Sequence, residues 1–192
     1  MNTTTTDDSY RSWQRFRADW WRTITAADGL FGYDPVARAR IERLGVPAYP
    51  YDPAWVLPAR FEPATEAGTL DLQIAHHTGI KSVFRYGTVD VTVAGREYRL
   101  QVYSAPGREY HLSFRDATSG HTTYPGGWVV FIPFPDGHRG DGFDFTLDLN
   151  RAVNGPRGYS ELTACALPPA TNTIDAAVTA GEQITSWMRA TP

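Results

Sequence analysis

Residues 88–102 read TVDVTVAGREYRLQV. Val89, Val91 and Val93 alternate with Thr88, Asp90 and Thr92, Ala94-Gly95 turns the chain, and Tyr98, Leu100 and Val102 answer on the return. A period of two, interrupted by a tight turn, predicts a β-hairpin with one apolar face. The same period extends outward in both directions. Upstream, Leu70, Leu72 and Ile74 alternate with Asp71 and Gln73. Downstream, Tyr110, Leu112 and Phe114 make a strand, and the run from Trp128 to Ile132 makes a more buried one. Phe143, Phe145, Leu147 and Leu149 then face one way, opposite Asp144, Thr146, Asp148 and Asn150. Short connections between successive strands favour an antiparallel meander, twisted strongly or closed partly into a barrel.

The flanks read differently. Residues 1–8 are rich in Thr and Asp and are expected to form a disordered tail. Asp7, Asp8 and Ser9 are suited to cap a helix from Tyr10, with Trp13, Phe16, Trp20 and Ile24 as its apolar stripe. The Trp20-Trp21 pair is too wide for one narrow stripe, so one ring should pack inward and the other project. Asp34-Pro35 opens a second helix and Gly45 stops it. The stretch 46–63 carries five prolines and is expected to be neither a helix nor a central strand. Residues 173–190 have helical anchors in Ile174, Val178 and Trp187, weakened by Gly181. The expected fold class is therefore α+β, mainly antiparallel β. A single domain over 9–192 has a helical and Pro-rich arm (9–63) packed on an antiparallel core (69–172), with a C-terminal helix as an option.

Composition narrows the function classes. The chain has 192 residues, 42% of them hydrophobic, which excludes disorder over most of its length. Its longest apolar runs are too short to span a bilayer as a helix, so no membrane partner is expected. Net charge is -3, and the cations are scattered arginines with Lys81 the single lysine. A nucleic-acid partner needs a concentrated basic face, so none is expected. One cysteine, Cys165, excludes an internal disulfide, and the N-terminus lacks a basic start and apolar core. A cytoplasmic location is the natural expectation. Phosphate-loop, dinucleotide, zincin and nucleophile-elbow motifs are missing from the sequence. His76 and His77 would point to opposite faces of a strand, and His111, His121 and His138 lack close spacing. No metal and no cofactor is expected.

Two segments carry the polar chemistry. In the first, Phe114-Arg115-Asp116-Ala117-Thr118-Ser119-Gly120 runs on to Tyr124, Gly126-Gly127 and Trp128. Asp116 suits a turn clamp that accepts from the amides and hydroxyls after it. In a functional reading Arg115 anchors an anion or carbonyl, and Asp116 or Tyr124 transfers a proton. The second segment holds Asp148, Asn150, Arg151, Asn154, Arg157 and Tyr159, followed by Cys165. Amides here suit either loop backbone or a ligand. The catalytic candidates are Asp116, Tyr124, Arg115 and Asp148. The substrate-binding candidates are Asn150, Arg151, Asn154, Arg157, Tyr159 and Trp128.

These pieces, with Tyr86-Gly87, Ala94-Gly95, Leu167-Pro168-Pro169, Asn172 and Ala180-Gly181-Glu182, resemble the bacterial family known as domain of unknown function 1684. The likeness runs from about Arg85 to Glu182. The chain departs from the family pattern at Trp128, where an arginine is usual. It also departs at Gly155 to Arg157, where Pro-Pro-Cys is usual, and at Thr171, where glutamate is usual. Cys165 keeps its place without the family's second cysteine, so a redox pair within the chain is excluded. The resemblance implies no established activity.

Two functions follow from the residues. In the first the chain is an enzyme without cofactor, acting on a small organic molecule in an aromatic-lined pocket. Cyclisation, isomerisation, dehydration or hydrolysis in the tailoring of a secondary metabolite would suit it. Arg115, Tyr124, Asn150 and Arg157 would polarise a carbonyl, with Asp116, Asp148 or Glu182 as base. In the second it is a non-catalytic ligand-binding or protein-interaction domain, with Trp13 to Trp21 forming a partner surface or homodimer contact. The first requires the two segments to meet in space and line one hollow; in the second the motif residues are structural.

Overall fold

The structure is a computed structural model, and it describes residues 3–75, 78–104, 111–135 and 140–189. His76, His77, Tyr110 and His138 lie outside the described residues. The chain opens with α1 (Thr3–Thr25) and α2 (Pro35–Leu44). Strands follow as β1 (Val56–Pro63), β2 (Thr69–Gln73), β3 (Ile80–Val93), β4 (Arg96–Ser104), β5 (His111–Asp116), β6 (Trp128–Phe131) and β7 (Phe143–Asp148). Two short strands, β8 (Val153–Asn154) and β9 (Thr173–Ile174), precede a single helical turn, α3 (Ser186–Arg189).

The strands form one sheet in the order β7-β1-β3-β4-β5-β6-β8, with β2 beside β3 and β9 beside β5. Every pairing is antiparallel except β5 with β9. The sheet curls into a half-barrel, as the short connections between strands imply. Its hairpin core is the stretch first quoted: Val93 pairs with Arg96 across Ala94 and Gly95, whose φ values are 50 and 79. Positive φ at both turn residues matches the right-handed twist of the flanking strands.

Period-two alternation separates two faces. Phe61, Val89, Leu100, Val102, Leu112, Phe114 and Leu147 fill the concave side, closed by Ile174 and Val178 from the tail. On the other side of β6 and β8 the helical arm packs through Trp20, Ile24, Phe31 and Ile41 onto Tyr124, Val153, Tyr159 and Met188. Trp20 is buried and Trp21 exposed, so the adjacent indoles divide between core and surface. A third, smaller cluster joins Leu72, Val83 and Tyr103, with Ala166 against it.

Three local expectations are corrected. Helix α1 begins at Thr3, ahead of the residues expected to cap it. Asp7 instead pairs with Arg11 one turn on, at 2.7 Å. The proline-rich stretch does form an interior strand, because β1 lies between β7 and β3. Its prolines sit where a neighbour exists on one side only. Pro58 pairs with Thr146 of β7 before the β3 ladder begins at Ala59, and Pro63 pairs with Gly87 after the β7 ladder ends at Phe61. The tail is extended rather than helical over 173–180. Asp116 accepts the Val178 N–H at 2.7 Å, and Gly181 turns at φ 71 against the Ala152 carbonyl.

Candidate functional site

The two polar segments meet. β6 pairs with β8, setting Trp128 opposite Asn154 and Val129 opposite Val153, and the Gly155 amide donates to the Gly127 carbonyl at 3.3 Å. Meeting does not place all ten candidates in one hollow. They divide among five surroundings.

Asp116 forms the turn clamp. Its carboxylate accepts from Thr118 Oγ1 at 2.9 Å, Ser119 Oγ at 3.1 Å and the Val178 amide. It joins the β5–β6 turn to the tail. Asp148, Asn150 and Arg151 form a second knot. Asp148 accepts from the Asn150 amide at 3.1 Å and from Arg151 Nε at 3.2 Å. The Asn150 side chain bonds Asp52 N and O, both at 3.0 Å, while the Asn150 carbonyl accepts from Trp13 Nε1. Arg151 reaches Ser12 Oγ at 2.7 Å and lies over the Phe16 ring. This knot fastens α1 and the Pro-rich stretch to the end of β7.

Asn154 and Tyr159 converge on Glu182, which is fully buried. Glu182 accepts from Arg17 Nη1 at 2.8 Å, Trp20 Nε1 at 3.1 Å, Asn154 N at 2.9 Å and Nδ2 at 3.2 Å, and the Tyr159 hydroxyl. Five donors on one buried carboxylate offset its loss of water. Trp128 lies elsewhere, buried on the concave side with its ring edge against Phe114, centroids 5.6 Å apart.

Arg115, Tyr124 and Arg157 remain: Tyr124 and Arg157 lie near Cys165, and Arg115 lies near Tyr103, which itself neighbours Cys165. Alternation along β5 turns Ser113 and Arg115 away from the concave core, toward the face that carries Tyr103. The Tyr124 ring packs against Gly126, Gly155 and Gly158, where a Cβ would fall 2.4, 3.8 and 3.3 Å from its carbons. Cys165 Sγ would lie 3.2 Å from a Cβ at Gly155, so thiol and ring touch the same turn. The result is a polar seam between the arm cluster and the Leu72–Val83–Tyr103 cluster. The Tyr103 hydroxyl lies beside Ser113 yet completes no hydrogen bond, and neither Arg115 Nε nor Arg157 Nε has a partner. Tyr103, Ser113 and Lys81 were missed among the sequence candidates. The signal for two of them was present, because residues 111, 113 and 115 share parity and Tyr103 pairs with His111.

The seam keeps its protons. Burial raises Tyr103 and Tyr124 to about 12, with the nearby Cys165 adding to the rise. Burial also raises the Cys165 thiol, against the opposing pull of the Arg157 amide and the Lys81 and Arg157 charges. A raised thiol is a poor nucleophile at neutral pH. Both tyrosines ionise near 10 when unfolded, so their burial favours the fold below pH 10. That contribution, on the order of 2 kcal/mol each, is lost as pH rises through 12. An alkaline titration should show two tyrosines ionising only with unfolding, read from the tyrosinate absorbance beside the circular dichroism. Replacing both with phenylalanine should flatten the loss; an unchanged profile would contradict the assignment.

Two open hollows lie away from the seam. One, of about 600 Å³, runs over Pro58, Arg60, Asp90, Thr92, Glu97 and Arg99 on the outer face of the sheet. Its arginines are matched: Arg60 pairs with Glu62 and Asp144, and Arg99 grips Asp90 through two 2.7 Å bonds. The other, of about 480 Å³, lies along α2 against Val36, Arg40 and Arg43. Among the described residues no cluster of His, Cys, Asp and Glu could hold a metal ion, and no helix is long and apolar enough to cross a membrane.

Comparison with known proteins agrees with this fold. The chain is similar to the solution NMR structure of an uncharacterised protein of Haloarcula marismortui, with a TM-score of 0.72 and 24% identity, covering 95% of this chain and 97% of that one. At that identity the likeness speaks for the fold. No curated protein matches the chain. The profile of a family described as protein of unknown function (DUF1684) matches residues 44–183. The match spans every strand, the seam and Glu182, and the chain belongs to that family.

Proposed function

We propose that the chain acts, without a cofactor, on a small organic molecule held at the seam of Tyr103, Arg115, Tyr124, Arg157 and Cys165. The observation that supports this reading is the set of buried donors left without acceptors where the two segments meet. Buried polar groups are nearly always satisfied, so unpaired ones call for a water or a ligand. Elsewhere Asp116, Asn150 and Glu182 are saturated by their neighbours, and the unpartnered Trp128 Nε1 and Asn154 Oδ1 are single atoms rather than a group of donors. Protonated tyrosines and guanidinium groups suit a carbonyl whose oxygen gains charge during enolisation or hydrolysis. The same donors would serve a non-catalytic binder, which is the second reading. It is favoured by one fact: the groups of the seam with shifted pKa are all pushed toward the protonated form, so none of them supplies a base.

The experiment is a library of small carbonyl compounds and acids screened against the isotope-labelled protein by NMR, followed by mass spectrometry for turnover. Hits that move the amide signals of residues 103, 115, 124 and 157 together are expected. Hits confined to the outer-face hollow would overturn the assignment. Turnover lost by Tyr124→Phe at unchanged melting temperature makes the seam catalytic; binding without chemical change makes the protein a binder.

A further inference from the structure

We infer that the ligand of the seam carries a carboxylate, recognised by Arg115, Arg157 and Lys81. This rests on the reading of the seam as a small-molecule site and names the class of molecule it takes.

The chain is acidic overall, at -3, yet this place is cationic. Lys81 and Arg157 both lie within electrostatic reach of the Cys165 thiol, Arg115 within reach of the Tyr103 hydroxyl, and Arg157 within reach of Tyr124. None of the three cations forms an ion pair among the described residues, a property they share with Arg15, Arg38, Arg40, Arg43 and Arg85, whereas Arg11, Arg17, Arg22, Arg60, Arg96, Arg99 and Arg151 are paired. What sets the seam apart is that its unpaired cations lie beside buried tyrosines and a thiol. Arg157 is steadied by its terminal nitrogen, which donates to the Glu161 carbonyl, leaving Nε–H free and buried. Arg115 is half-buried on β5 with its own Nε–H free. Tyr103, 3% exposed, adds a neutral donor through its buried hydroxyl.

What the seam lacks is acceptors. Two guanidinium edges and a phenol with no acceptor match a planar anion, and charge-assisted bonds to a carboxylate are the strong kind. A neutral amide of the same shape would bring its own donors against these donors. Lys81 is exposed, and Arg115, Arg157 and Cys165 are half-buried, so the seam borders the surface.

The test uses benzoate and benzamide, which differ in charge but little in shape, titrated into the full chain while the arginine Nε–H signals are followed by NMR. Saturable movement of the Arg115 and Arg157 signals with benzoate, and at least about tenfold weaker response to benzamide, is expected. Arg115→Gln should weaken benzoate about tenfold and Arg115→Lys should restore part of it. Lys81→Gln, at an exposed site where folding is not at stake, should weaken it about threefold. Equal binding of benzamide at the seam would overturn the charge assignment and leave the small-molecule reading standing. Benzoate that leaves both Nε–H signals still, or moves Arg60 and Arg99 instead, would overturn the anion site; the wider reading is then decided by its own library screen.

Discussion

Glu182→Ala should lower the free energy of unfolding by about 3–5 kcal/mol, measured by urea denaturation at an unchanged m-value. The carboxylate is completely enclosed and receives donors from α1, β8 and Tyr159. Removing it leaves the Arg17 guanidinium, the Trp20 indole, the Tyr159 hydroxyl and the Asn154 amide facing a void. Each such donor costs about 1–3 kcal/mol unless water enters. A domain of this kind holds about 5–15 kcal/mol in total, so the variant should sit near the edge of folding. Arg17→Met keeps the other four donors but strips the enclosed carboxylate of its counter-charge, and should also cost about 3 kcal/mol or more. A Glu182→Ala loss below about 1 kcal/mol would mean that the arm contributes little to holding the fold.

Phe61→Ala should have a similar effect for an unrelated reason, about 3–5 kcal/mol from lost transfer energy and an unfilled cavity. Phe61 has no exposure and meets Tyr86, Phe134 and Phe143 at ring-centroid distances of 5.4, 5.2 and 5.3 Å. Gly87 exists to admit this ring. A Cβ there would fall 2.7 Å from the ring and 2.2 Å from the Glu62 carbonyl, beside the register shift between Arg85 and Gly87. Phe61→Leu retains most of the volume and should cost about 1–2 kcal/mol. Comparable losses for Leu and Ala would indicate that the ring edges, rather than the filled space, carry the energy.

Much of the sheet is visible in the sequence because its interior and exterior alternate with period two. Val89, Val91 and Val93 against Thr88, Asp90 and Thr92 need no tertiary knowledge. The interior position of β1 was not visible, because a proline is tolerated or forbidden according to which side of the strand has a neighbour at that residue. No local pattern reports this. The tail misled for a related reason: Ile174 and Val178 have helical spacing but enter the core from an extended chain pinned by Asp116. At the site, residue type identified polar positions but not their occupation. Asn150 and Arg115 are equally attractive as a sequence; one is consumed by Asp52 and the other is left with a free Nε–H. That distinction depends on contacts between residues about a hundred positions apart, which only the folded chain displays.

The Arg17–Glu182 contact joins residues 165 apart in sequence. On a ribosome, α1 emerges before the sheet, and the carboxylate that anchors it follows every strand from β1 to β9. The amphipathic arm therefore waits, its Trp20 and Ile24 uncovered, while the whole sheet is assembled behind it. Closure of the arm is held back until Glu182 arrives, and a chain cut short before it keeps an exposed greasy helix that quality-control machinery can grasp.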